Sequence, residues 1–207
     1  MVQPGMLPEP IVQPKVIVVE GPDDRRFLGA LLQHLGIERG VQFFEAQGKD
    51  NLRQVLRALT LASGFAHVET LAVIRDADND PRAAFQSLCN SLRQAGLIAP
   101  PQPNLVVPGN PAVGIFVWPD CHSPGQLETL CLEAVSLEPA MDCVNSYLDC
   151  LQHTQESLPQ PADKARLQVF LASRNRPGLR LGEAAEAGYF SWDQAVFEPI
   201  KHFLQSL

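Results

Sequence analysis

The sequence has no apolar run approaching the ~18 residues that a membrane helix needs, so no spanning segment is expected. Nor does a basic region followed by an apolar stretch occur in Met1 to Pro14, so no secretory signal is expected there. Basic residues are the minority: 16 Lys and Arg stand against 23 Asp and Glu, a net charge of −7. That balance argues against a broad basic face gripping nucleic acid by phosphate neutralisation alone, while leaving a local groove open. The five cysteines (Cys89, Cys121, Cys131, Cys143 and Cys150) contain no CxxC pair and do not cluster with histidine. They read as buried, reduced thiols of a cytoplasmic protein, not as a disulfide framework or a zinc site. No P-loop is present, so ATP hydrolysis within this chain is not expected.

What is present suits one α/β domain with a helical extension: 207 residues, 45% of them apolar. Residues 1–14 carry Pro4, Pro8, Pro10 and Pro14 and read as a flexible lead-in. Residues 15–137 alternate strand and helix. Strand patterns fall at 15–20, 41–46 and 70–75, a loop or weak edge strand at 105–107, and a better strand at 112–118. Between them, Phe27 to Leu35, Leu52 to Leu59, and Pro81 to Leu92 show helical spacing. Ser123-Pro124-Gly125-Gln126 reads as a capping box opening a helix through Leu127, Leu130 and Cys131. Residues 138–207 show only helical patterns, about 139–151, 161–173, 181–187 and 191–206, and are expected to pack on the core. Ser191 with Gln194 suggests another capping box, and Pro199 a kink or restart. The alternation predicts a mostly parallel central sheet flanked by helices, with ligands beyond the carboxyl ends of the strands.

Acidic residues gather at those ends. Lys15-Val16-Ile17-Val18-Val19-Glu20-Gly21-Pro22-Asp23-Asp24 closes the first strand, and Leu71-Ala72-Val73-Ile74-Arg75-Asp76-Ala77-Asp78-Asn79-Asp80-Pro81 closes the third. Asp120 follows the last strand. Carboxylates at neighbouring strand ends repel one another, and a divalent cation with oxygen ligands is the usual remedy. If the segment stays extended, the alternate spacing of Asp76, Asp78 and Asp80 points three side chains one way. Asp76 and Asp78 would then serve one ion, and Asp80 reads equally as a ligand or as the N-cap of the helix at Pro81. An EF-hand loop is excluded because Pro81 and Ser87 stand where it needs Gly and Glu.

Val18-Val19-Glu20-Gly21-Pro22-Asp23-Asp24 followed by Ile74-Arg75-Asp76-Ala77-Asp78-Asn79-Asp80 resembles the TOPRIM domain. That superfamily includes bacterial primases, topoisomerases, small nucleases that mature ribosomal RNA, and the OLD-family nucleases. The likeness spans about residues 15–135, and it is nearest to TOPRIM-like proteins allied to the OLD nucleases, through Trp118-Pro119-Asp120 and Gly125-Gln126-Leu127-Glu128. The resemblance implies Glu20 as a metal ligand or general acid–base group and Asp76 and Asp78 as ligands of Mg2+ or Mn2+. It further implies Glu128 on a second ion and Lys164 steadying the transition state. OLD nucleases carry an ATPase domain, and its absence here implies either a stand-alone module or a partner protein. With only Tyr147 and Tyr189, the chain holds no topoisomerase-type tyrosine domain.

Several of these residues have plainer readings. Lys164 shares a face with Leu167 and Leu171 and suits a snorkelling lysine. Lys49, after Gly48 and before a helix, is either a phosphate contact or a solvated loop lysine. Glu128, Asp23 and Asp24 sit near helix starts, where acid is favourable in any case, and His122 reads as a loop histidine. The expectation is metal-dependent phosphodiester hydrolysis on nucleic acid, with one or two ions. The alternative is a catalytically silent binding or regulatory module.

Overall fold

The structure, a computed structural model, describes residues 9–154 and 159–207. Residues 1–8, most of the expected flexible lead-in, lie outside the described residues. The chain runs β1 (Lys15–Val19), α1 (Pro22–Leu35), β2 (Val41–Glu45), α2 (Leu52–Thr60), β3 (Thr70–Asp76), α3 (Pro81–Gln94), β4 (Leu105–Val107) and β5 (Ala112–Trp118). Helices follow: α4 (Leu127–Ala134), α5 (Ala140–Thr154), α6 (Ala162–Ala172), α7 (Leu181–Glu186) and α8 (Glu198–Gln205).

The strands form one five-stranded sheet in the order β2-β1-β3-β5-β4. All neighbours are parallel except β4, which runs antiparallel to β5 along one edge. This is the mixed α/β architecture, mostly parallel, that the alternation predicts. The middles of the central strands, Val16 to Val19 and Leu71 to Ile74, are apolar at every position because helices cover both faces. The period of two is nonetheless visible in which core each residue joins. Ile17, Val19, Ala72, Ile74, Phe116 and Trp118 meet α1 and the later helices. Val16, Val18, Leu71, Val73, Val113, Ile115 and Val117 meet α2 and α3.

Two glycines set close approaches. A methyl group on Gly114 in β5 would lie 2.8 Å from the Phe203 ring of α8, and one on Gly182 in α7 would lie 2.6 Å from Arg26 Cβ of α1. The helices after residue 138 therefore lie against α1 and the sheet and share one core with them. Ahead of β1, Ile11 is buried and its N–H donates to Ser63 O at 3.0 Å.

Two helix starts differ from the sequence reading. Helix α4 begins at Leu127, three residues late, because Asp120 takes the local donors first. Its Oδ1 accepts from the N–H groups of His122 and Ser123, and its Oδ2 from Ser123 Oγ. Thr129 Oγ1 then accepts from Gln126 N at 3.0 Å and caps the helix. Ser191 and Gln194 form a turn closed by Gln194 N donating to Ser191 O. The last helix restarts at Glu198 with Pro199 in its first turn.

Candidate functional site

Parallel pairing places the ends of β1, β3 and β5 side by side, with Asp76 opposite Trp118. Glu20, just past β1, accepts from the backbone N–H of Asp76 through Oε1 at 3.3 Å. The loop after β3 does not stay extended. Asp78 takes φ 53 and exchanges backbone hydrogen bonds with Gly125, Asp78 N to Gly125 O at 3.0 Å and the return bond at 2.8 Å. That clamp brings the amino end of α4 over β3, where Leu127 N donates to Asp76 Oδ1 at 3.0 Å. From α1, Asp24 reaches the same region. Its Oδ1 accepts from Trp118 Nε1 at 2.9 Å and its Oδ2 from Gly21 N at 3.2 Å.

These carboxyls are costly to ionise together. Burial, with Asp24, Glu20 and Glu128 adding their charge, pushes Asp76 up to about 8 despite the Leu127 amide. Burial and then the charges of Glu20 and Glu128 take Asp24 to about 7, against the opposing Trp118 bond. Burial also raises Glu20 and Glu128, opposed at Glu20 by Arg75 and at Glu128 by Lys164.

Asp78 behaves in the opposite sense. Burial alone would raise it, but the Lys49 Nζ contact at 2.7 Å, helped by Arg75 and Gln126, outweighs burial and lowers it. Arg75 itself is only 7% exposed. Its Nε donates to Asp76 O at 3.0 Å and lies 3.4 Å from Glu20 Oε1, while Nη2 lies 3.4 Å from Asp78 Oδ2. The acids are thus divided. Glu20 and Asp78 face the guanidinium, whereas Asp24, Asp76 and Glu128 share no paired cation among the described residues.

Asp80 serves as the N-cap of α3, its Oδ1 accepting from Arg82 N at 2.9 Å and Ala83 N at 3.0 Å. The expectation that Asp76, Asp78 and Asp80 point one way is therefore corrected: one faces α4, one faces Lys49 and one caps α3. Asp120 is bound within its own loop. Lys164 is exposed on α6, near enough for its charge to be felt at Glu128. A groove of about 840 Å³ opens beside Asp78, lined by Lys49, Arg53 and Arg75 and by Gln86, Asn90 and Gln94 of α3.

The donor set suits a hard divalent cation in kind, being carboxylate oxygen throughout. It suits one in charge as well, since Glu20, Asp24, Asp76, Asp78 and Glu128 outnumber Arg75, Lys49 and Lys164 by two. As the side chains stand, no three acid, histidine or cysteine groups among the described residues converge to ligating distance. Arg75 and the Trp118–Asp24 pair escape sequence reading. An arginine inside a strand run carries no periodic signal, and the indole partner lies far along the chain.

A family described as "Protein of unknown function (DUF3226)" matches residues 14–207. The chain belongs to this family. No curated protein matches the chain. Among solved structures, a hypothetical protein from Pyrococcus horikoshii OT3 is similar with TM-score 0.55 and 19% identity, covering 94% of this chain and 95% of that one. The C-terminal region of the OLD protein from Xanthomonas campestris pv. campestris is similar with TM-score 0.53 and 17% identity, covering 94% of this chain and 96% of that one. A second structure of that region gives 0.52 and 20%, with 94% and 95% covered. This member of the DUF3226 family therefore shares its fold with the OLD C-terminal region. No helix among the described residues is long and apolar enough to cross a membrane.

Proposed function

We propose that this chain is a TOPRIM-type phosphoryl-transfer protein, a nuclease that hydrolyses phosphodiester bonds with Mg2+ or Mn2+ held by carboxylates. The observation that carries the reading is that Glu20 and Asp76 meet at neighbouring strand ends, with Glu128 of α4 near enough for its charge to be felt at Asp76 and too little positive charge to balance the three. The fold shared with the OLD C-terminal region supports it.

In this reading Asp76 and Glu20 hold the ion, with Glu128 beside them and Asp78 joining when it leaves Lys49. When bound, the ion would supply an activated water and stabilise the leaving oxygen. If Glu20 stays off the ion, its burial suits it instead to hold or give up a proton next to the reacting phosphate. Lys49 and Arg53 receive the phosphodiester entering along the groove, and Lys164 offsets charge on the Glu128 side. Asp80 keeps its capping task. The substrate is nucleic acid, DNA or RNA.

The second reading, a silent binding module, draws on one observation: Arg75 and Lys49 already neutralise Glu20 and Asp78 from within. Assays of DNA and RNA cleavage with Mg2+ or Mn2+ separate the two. Metal-dependent cleavage by the parent and its loss in Asp76→Ala supports the nuclease. Failure to cleave, together with no metal uptake by calorimetry, supports the silent module.

A further inference from the structure

Arg75 is the residue that the proposed chemistry leaves without a task, and its position is unusual. It is buried, yet it belongs to no hydrophobic layer. It spans two acids on different loops, Glu20 at 3.4 Å and Asp78 at 3.4 Å, and is fixed by its bond to Asp76 O at 3.0 Å. Lys49 completes the arrangement on the solvent side, 2.7 Å from the same Asp78 oxygen. A planar guanidinium whose charge is permanent suits such bridging where an ammonium would not. On the other side stand Asp24 and Asp76, whose hydrogen-bonded partners among the described residues are neutral donors, Trp118 Nε1 and the backbone amides of Gly21 and Leu127, with Glu128 beside them.

We infer that Arg75, with Lys49, is the internal cation of this site: it stands where a second metal ion would otherwise be required, so the pocket takes one divalent ion, on the Asp76 side. This rests on the metal-binding reading above. Because Lys49 and Arg75 also line the groove, an incoming phosphate competes with Asp78 for them. Substrate entry therefore frees Asp78 to turn toward the ion. The same pairs explain why Asp78 is turned away from Asp76.

The test is Mn2+ titration of the full chain, followed by calorimetry and by the electron paramagnetic resonance of free Mn2+. The parent should bind one ion. Arg75→Gln, which strips Glu20 and Asp78 of their shared partner, should bind a second, and its thermal unfolding should recover with Mn2+ more than the parent's does. Lys49→Ala, an exposed change that does not threaten folding, should tighten Mn2+ binding by about threefold, the scale of one exposed ion pair. If Arg75→Gln does not fold, Lys49→Ala decides. Two ions in the parent, or unchanged stoichiometry in Arg75→Gln with unchanged affinity in Lys49→Ala, overturns the inference and leaves the metal site standing. A parent that binds no ion overturns both.

Discussion

The backbone N–H of Leu127, the first residue of α4, donates to Asp76 Oδ1 at 3.0 Å, joining two segments 51 positions apart. Asparagine in place of Asp76 keeps an oxygen for that bond and removes only the charge. Asp76→Asn should therefore lower metal-dependent cleavage at least about a hundredfold, the upper range for changes around a metal. Its thermal unfolding at pH 8 without metal should be no lower than the parent's. Cleavage rates and melting curves measured on one preparation check both halves.

The raised Asp24 and Asp76 set a pH dependence with a definite sign. Both carboxyls bind protons more tightly folded, at about 7 and about 8, than their ordinary value of 3.8. The stability they contribute is complete below that ordinary value and is lost as pH rises toward 7 and 8. Without divalent metal, the melting temperature should fall across this window more steeply in the parent than in Asp76→Asn. Added Mg2+ should raise it more at pH 8 than at pH 6. Melting curves at several pH values, with chelator or with Mg2+, measure this.

Asp80 offers a cleaner separation of structure from chemistry. Asp80→Ala removes acceptors for Arg82 N and Ala83 N and should cost about 1 kcal/mol, as lost caps do. Cleavage by the folded variant should remain at the parental level, checked by denaturant titration beside the activity assay.

Much of this site is legible along the chain, for local reasons. Glu20 follows an unbroken apolar run and Asp76 one interrupted only by Arg75, and a strand buried on both faces ends where charged residues begin. Pro81 after Asp80 announces the cap and the start of α3. What the sequence hides is non-local. Whether Ser123 caps a helix or donates to Asp120 depends on a competition that only the folded loop decides. The turning of Asp78 depends on its pairing with Gly125, and the placement of the Asp24 carboxyl on an indole from β5.

The contact between β5 and α8 should tolerate no added atom. Gly114→Ala places a methyl 2.8 Å from the Phe203 ring and 3.0 Å from Val106 Cγ2. It should destabilise the protein by about 1–3 kcal/mol, as overpacked cores do. Mn2+ affinity of the folded fraction should not change, since neither contact touches the carboxylates. Urea unfolding and Mn2+ titration test the two statements separately.

The most direct test of the account is a crystal structure grown with Mn2+ and its anomalous density map. The account predicts a peak at roughly the 2.1 Å ligand distance of a small hard cation from an Asp76 oxygen, with Glu20 or Glu128 completing the shell and Arg75 still bridging Glu20 and Asp78. A map without any peak among these carboxylates, at a concentration that saturates the protein in solution, would contradict it.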